Sequence, residues 1–425
     1  MSERAGDPLV LGGPPDGDTP LRLGRRVTLY VCGITPYDAA HVGHAFTYVA
    51  FDTLVRYLRL RGHEVAYCQN VTDIDDDMLA RAARDGEDYL ALGRRETDAY
   101  LEDMDALNVL RPTFFPKATQ EIPAMVELAR QLVEAGNAYV VDGTVIFEVA
   151  TYPGFGELSG LSEAEQRDLL AERGGDPGDP RKRDPLDFVV WQPSGPGEPW
   201  WESPWGRGRP GWHLECSAMS RRYLGTTIDL HGGGADLVYP HHESERAQSE
   251  SANRAPFARR WLHTGMVRHQ GEKMSKSLGN LVFPRDLLRD HEPAAVRLAL
   301  LVHHWRSEWE WDPAELKEAA ERLSAWRQAC GQPRAPNAPV GYPPVRGPQQ
   351  SGVEAGARLP AQVNAARLPA QVDAARLPAR VDAALAADLD TPAALAAGDE
   401  LAERGDAPGL VATAAVLGVD LTPGR

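Results

Sequence analysis

Apolar and polar positions change their period several times along the chain, and the changes outline its elements. Leu29 to Val31 is a short apolar, partly β-branched run, Gly33 to Asp38 is turn chemistry, and Ala45 to Tyr57 carries apolar residues at helical spacing. The pattern predicts strand, turn, helix. Glu64 to Tyr67 gives a second strand that runs into Thr72-Asp-Ile-Asp-Asp-Asp77, an acidic cluster placed where carboxylates favour a helix start. This order argues for a doubly wound parallel α/β sheet with its site at the carboxyl ends of the strands.

Further along, residues 85–137 are helical in pattern, broken around Arg111-Pro112 and Phe115-Pro116, and Tyr139 to Phe147 reads as a hairpin. Residues 150–210 are rich in Gly, Pro and charge and are expected to fold over the site as part of an insertion spanning about 112–210. Gly211 to Met219 and Ile228 to Glu245 follow; the second holds three glycines, Gly232 to Gly234, suited to close approach of a ligand, with Asp236 beside them. From Pro293 to Ala329 the pattern is helical, and Trp305, Trp309, Trp311 and Trp326 are expected to pack, because the same segment carries Glu308, Glu310, Glu315, Glu318 and Glu321. A nine-residue repeat starts at Ala357, Ala366 and Ala375; its regular proline forbids one continuous helix, so it reads as a disordered, low-complexity linker. The expected divisions are a loose leader over 1–25, a catalytic domain over 26–290, a helical stem over 291–335, the linker over 336–382 and an acidic tail of two short helices over 383–425.

The chain has 425 residues, 43% hydrophobic and 25% charged, as in ordinary globular proteins. Its net charge of −16 gives no broad electrostatic footprint for nucleic acid. No apolar run reaches membrane-spanning length, and the leader lacks the apolar centre of a signal peptide. A cytoplasmic protein is expected. Four scattered cysteines, Cys32, Cys68, Cys216 and Cys330, are too few for a disulfide framework and leave thiols for metal ligation.

Two strings suggest chemistry. His41-Val-Gly43-His44 stands where the first helix begins, and a helix N-terminus seats phosphate on free N–H groups. Gly43 would admit the phosphate and the imidazoles would follow charge as it moves; a plain helix start holding two histidines is the alternative. Lys273-Met-Ser275-Lys276-Ser277-Leu-Gly279-Asn280 reads as a loop of ammonium and hydroxyl groups able to close over a triphosphate, or as a solvated basic turn. Cys32 and Cys216, with His241 and Glu245 four apart on one helical face, would make a zinc sphere drawn from three segments, although buried free cysteines are commoner. The acidic cluster at 73–77 could hold a divalent ion, but a helix start explains it more simply.

Together, the His41 and Lys273 strings resemble the paired ATP-binding signatures of class I aminoacyl-tRNA synthetases. Adding Thr72 to Asp76, Gly211-Trp-His-Leu-Glu-Cys216, His231-Gly-Gly-Gly-Ala-Asp236 and Pro240-His-His-Glu-Ser-Glu245, the chain resembles the cysteine-activating branch of that family over residues 27–330. The resemblance implies a Rossmann-like nucleotide-binding domain and one Zn2+ per chain, held by Cys32, Cys216, His241 and Glu245 and joined by the substrate thiolate. It implies that Trp212 packs against the bound L-cysteine and that Thr72 and Asp236, beside Gly234, orient its ammonium group. It further implies that His41, His44, Lys273 and Lys276 stabilise ATP, with Mg2+, while Gly43, Ser275, Ser277 and Gly279 cradle it, giving cysteinyl-adenylate.

Two members of that branch differ in the acceptor. One charges tRNA and carries an anticodon-reading domain; the other, the ligase of mycothiol biosynthesis, gives cysteine to the amine of glucosaminyl-inositol. Gly33 to Ala45, with Ile34 and His44, resembles the second, as do Ala171 to Pro177, His303 to Trp311 and Ala386 to Leu395. Glu245, Leu278, Glu202 to Gly206 and Arg246 to Ser249 resemble the first. In the tail, seven carboxylates face two arginines, which opposes phosphate binding. The amino-sugar ligase is therefore the expected function, tRNA charging the alternative, and a non-catalytic cysteine or adenylate binder a third reading that the intact motifs disfavour.

Overall fold

In the computed structural model, residues 9–13, 17–274, 278–332 and 377–422 are described. Strand β1, Arg26–Ile34, lies at the centre of a four-stranded parallel sheet, between β2, Glu64–Val71, and a later strand, Ile228–Gly234, which pairs in turn with Ala258–Thr264. Neighbouring strands on the two sides of β1 reach it by crossovers in opposite directions, so a crevice opens at its carboxyl end. The strand alternates across two cores. Val27, Leu29 and Val31 enter one with helix α1, Val42–Leu60, while Tyr30 and Cys32 enter the other.

Helix α1 is buried on most of its faces because the sheet covers one side and C-terminal helices cover the other. Its Asp52, buried within this layer, accepts from Arg56 Nε at 2.8 Å and pairs with Arg297 of the helix Pro293–Leu301. On the opposite face lie helices Ile122–Glu134 and Trp212–Leu224. The insertion carries its own antiparallel sheet, ordered Ala138–Val141, Thr144–Phe147, Phe188–Pro193 and Gly208–Pro210. Trp191 is fully buried there, so part of the Gly/Pro-rich stretch builds core rather than only covering the site.

Residues 9–13 and 17–25 correct the expectation of a loose leader. Leu9 and Leu21 form an antiparallel bridge, Val10 pairs with Ala387, and Leu9, Leu11 and Leu21 are buried, because three leucines find an apolar seam between α1 and the tail. The described part of the tail holds two whole helices, Thr391–Glu403 and Ala407–Val416, and the end of another, Ala379–Ala386, which starts inside the expected linker. Most of the nine-residue repeat, and its expected disorder, lies outside the described residues. The four stem tryptophans are buried; Trp305 and Trp326 donate their indole N–H to Asp388 and Asp399 of the tail.

Candidate active site

A cleft of about 290 Å³ opens at the carboxyl end of β1. Cys32, His41, Gly43, His44, Thr72, Trp212, Cys216, Gly234, Asp236, His241 and Lys273 all line it, which unites residues from six separate segments of the sequence. Ser275, Lys276 and Ser277 lie outside the described residues. Gly279, at φ +65°, lines a neighbouring cavity that shares Tyr37 and Asp38 with the cleft.

His41 is the N-cap of α1. Its Nδ1 accepts the N–H of Gly43 at 3.1 Å, and His44 Nδ1 accepts the N–H of His41 at 3.2 Å, a reciprocal capping box made of imidazoles. With both Nδ1 atoms acting as acceptors, each neutral ring carries its proton on Nε2. A Cβ at Gly43 would sit 2.8 Å from the His41 ring, so that glycine is required first by the cap. Gly232 is likewise explained by the chain itself: a Cβ there would meet the Phe51 ring of α1 at 2.2 Å, so close helix packing, rather than a ligand, excludes a side chain. Asn70 joins β1 to Thr72, accepting from Gly33 N at 2.9 Å and donating to Thr72 Oγ1 at 3.1 Å.

The acidic cluster behaves as a helix start. Asp75 caps the helix Asp76–Asp85, Asp73 accepts from the backbone and hydroxyl of Thr119, and Asp76 pairs with Arg209.

At the inner end of the cleft, donor atoms of Cys32, Cys216, His241 and Glu245 lie within 4.8 Å of one another, all four residues buried. Cys32 Sγ donates to Glu245 Oε1 at 3.3 Å, and His241 Nε2 lies 3.1 Å from the same oxygen. Burial would raise the Cys216 thiol, but the neighbouring Cys32 and His241 bring it down to about 6. Burial opposes ionisation of Glu245 as well, yet His231 and His241 hold it at about 2. Cys32 is pushed well above the ordinary thiol range by burial and by its charged neighbours. Two sulfurs, an imidazole and a carboxylate, two of them drawn toward their deprotonated forms, are a donor set that fits a zinc-type ion.

Four further histidines surround this set. His213 Nδ1 lies 3.0 Å from His241 Nδ1, His231 Nε2 lies 3.1 Å from Glu245 Oε2, and His242 Nδ1 lies 2.8 Å from His263 Nε2. Three of them, His213, His231 and His242, lie within the quoted motifs, but no spacing marks which histidine supports and which binds. Trp212 stacks on His241, with ring centroids 4.2 Å apart at 28°.

The family model described as the class I (C) tRNA synthetase catalytic domain matches residues 20–321. A protein of Kribbella flavida named L-cysteine:1D-myo-inositol 2-amino-2-deoxy-α-D-glucopyranoside ligase is 46% identical over 416 residues, 96% of this chain and 92% of its own. A Thermobispora bispora protein of the same name is 45% identical over 403 residues, covering 93% of this chain and 91% of its own. The chain belongs to this ligase family of the class I synthetase fold. Among solved structures, Mycobacterium tuberculosis methionyl-tRNA synthetase in complex with methionyl-adenylate is similar in fold, with a TM-score of 0.61, 20% identity, and coverage of 92% of this chain and 88% of its own. The acidic tail packs over α1 and the stem. No helix among the described residues is long and apolar enough to cross a membrane.

Proposed function

We propose that this chain activates L-cysteine with ATP and transfers it to the amine of glucosaminyl-inositol. The observation that carries the proposal is identity to ligases of that name along nearly their whole length. The cleft supports it by gathering His41, His44, Cys32, Cys216 and His241 around one space, with Glu245 clustered behind the last three.

In the first step, a cysteine carboxylate oxygen attacks the α-phosphorus of ATP and the bond to pyrophosphate breaks. The N-terminus of α1 and the Nε2–H groups of His41 and His44 would meet the phosphates, with Lys273 and, from the sequence, Lys276 neutralising the leaving group. In the second step, the acceptor amine attacks the adenylate carbonyl, an amide C–N bond forms, AMP leaves and the amine loses a proton. Thr72 and Asp236 would orient the substrate ammonium, and Trp212 would border it. Cys32, Cys216, His241 and Glu245 would hold zinc. When bound, zinc supplies a soft Lewis acid that prefers thiolate to hydroxyl, which separates cysteine from serine. Mg2+ would accompany ATP, and the four free cysteines favour a reducing, cytoplasmic setting.

The test offers purified protein ATP and labelled cysteine with glucosaminyl-inositol in one tube and total tRNA in another. Amide formation with the sugar and no charged tRNA is expected. Charged tRNA without sugar product would overturn the acceptor, and the absence of cysteine-dependent pyrophosphate exchange would overturn the activation step.

A further inference from the structure

The residue after Trp212 has no role in the activation chemistry described above, yet it touches the ring most central to the donor set. We infer that His213 is a positioning residue that fixes the tautomer and the plane of His241. The inference rests on the reading that His241 holds zinc.

His241 Nε2 faces Glu245 Oε1 at 3.1 Å, on the side where the other donor atoms converge. Its Nδ1 faces away, 3.0 Å from Nδ1 of His213. Two ring nitrogens at that separation share one proton. An imidazole that gives its Nε2 lone pair to a metal must carry its proton on Nδ1, so His213 has to accept there and hold its own proton on Nε2. The opposite arrangement puts a proton on His241 Nε2 and blocks it as a ligand. Both rings are buried, at 7% and 1% exposure, so water cannot take over the acceptor role cheaply.

The acceptor is itself held. Phe188 of the insertion meets His213 edge-on, with centroids 5.6 Å apart at 79°, and stacks on Phe147 at 4.9 Å and 12°. Trp212 covers the face of His241 while His213 fixes its edge, so two consecutive residues at the start of one helix set both the plane and the proton of the ring. The insertion sheet thereby supports the metal geometry through Phe188.

The experiment measures zinc affinity, by competition with a chromophoric chelator, for wild type, His213→Phe, His213→Asn and Cys216→Ser. A lost support of this kind typically weakens a metal about 10–100-fold. His213→Phe should fall in that range, while His213→Asn, whose amide oxygen can stand near the position of Nδ1, should stay within a few-fold of wild type. Zinc held equally by wild type and His213→Phe, or lost equally in the Phe and Asn variants, would overturn the inference. If wild type binds no zinc, or Cys216→Ser binds it normally, the zinc reading itself fails. Should His213→Phe not fold, nitrogen-15 NMR of zinc-loaded wild type decides: His213 must show protonated Nε2 and bare Nδ1, and the reverse tautomer would overturn the inference.

Discussion

His44 accepts the backbone N–H of His41 through Nδ1 at 3.2 Å, so the second histidine of the string caps the residue that caps the helix. Structure and proposed chemistry use different atoms of the same rings. His41→Asn should separate them, because Asn is a strong N-cap and should keep the helix start within about 0.5 kcal/mol. It lacks the Nε2–H donor, so cysteine-dependent pyrophosphate exchange should fall about 10²–10³-fold, the usual effect of removing one transition-state donor. An Asn variant that exchanges at the wild-type rate would leave the His41 imidazole as a cap alone.

Cys216 has the lowered thiol of the pair and Cys32 the raised one, so serine at 216 removes the sulfur best prepared to lose its proton. Cys216→Ser should lower zinc content and cysteine activation together. Metal analysis and pyrophosphate exchange on the same preparation check this, and retention of either one would break the link between them.

Much of this was legible in the sequence, for identifiable reasons. A short apolar, partly β-branched run, helical spacing and their order along the chain placed β1, α1 and β2, and motifs with fixed spacing delivered residues that meet in one cleft. The supporting contacts were not legible. His213 and His231 become informative only once folding sets their rings against His241 and Glu245, separated by 28 and 14 residues respectively. Gly232 was read as ligand clearance because its actual neighbour, Phe51, is remote in sequence. The leader looked loose because its prolines and glycines dominate composition, while three leucines decide its packing.

Leu11 measures how far that packing matters. It lies with Ala50, Phe51 and Leu54 of α1, Trp305 of the stem and Leu389 of the tail around one small apolar gap, and it is 1% exposed. Leu11→Ala should destabilise by about 2–5 kcal/mol, as large-to-small core changes do. The leader backbone is also tied, since Gly12 N donates to Asp388 Oδ1 at 2.7 Å. Urea unfolding of the variant checks the value; an unchanged midpoint would mean that residues 9–13 add little to stability.

Asp52 gives a dependence on pH whose sign can be worked out. Burial opposes its ionisation, but Arg297 and Arg56 outweigh burial, with help from the Leu110 N–H at 2.8 Å, and hold the carboxyl below 3.8. The unfolded chain, with Asp near about 3.9, therefore takes up the proton first as pH falls. Protons favour unfolding in that window. The contribution of Asp52 is fully present above the unfolded value and is lost as pH drops through the folded one. Asp52→Asn removes the titration and leaves Arg297 and Arg56 buried with no counter-charge, which should cost about 3–5 kcal/mol at neutral pH. Urea midpoints from pH 7 down to about pH 2 should thus start lower for the variant and converge on wild type only as pH falls below about 4, the unfolded value. Curves that stay parallel would show that Asp52 is not the group that links folding to pH here.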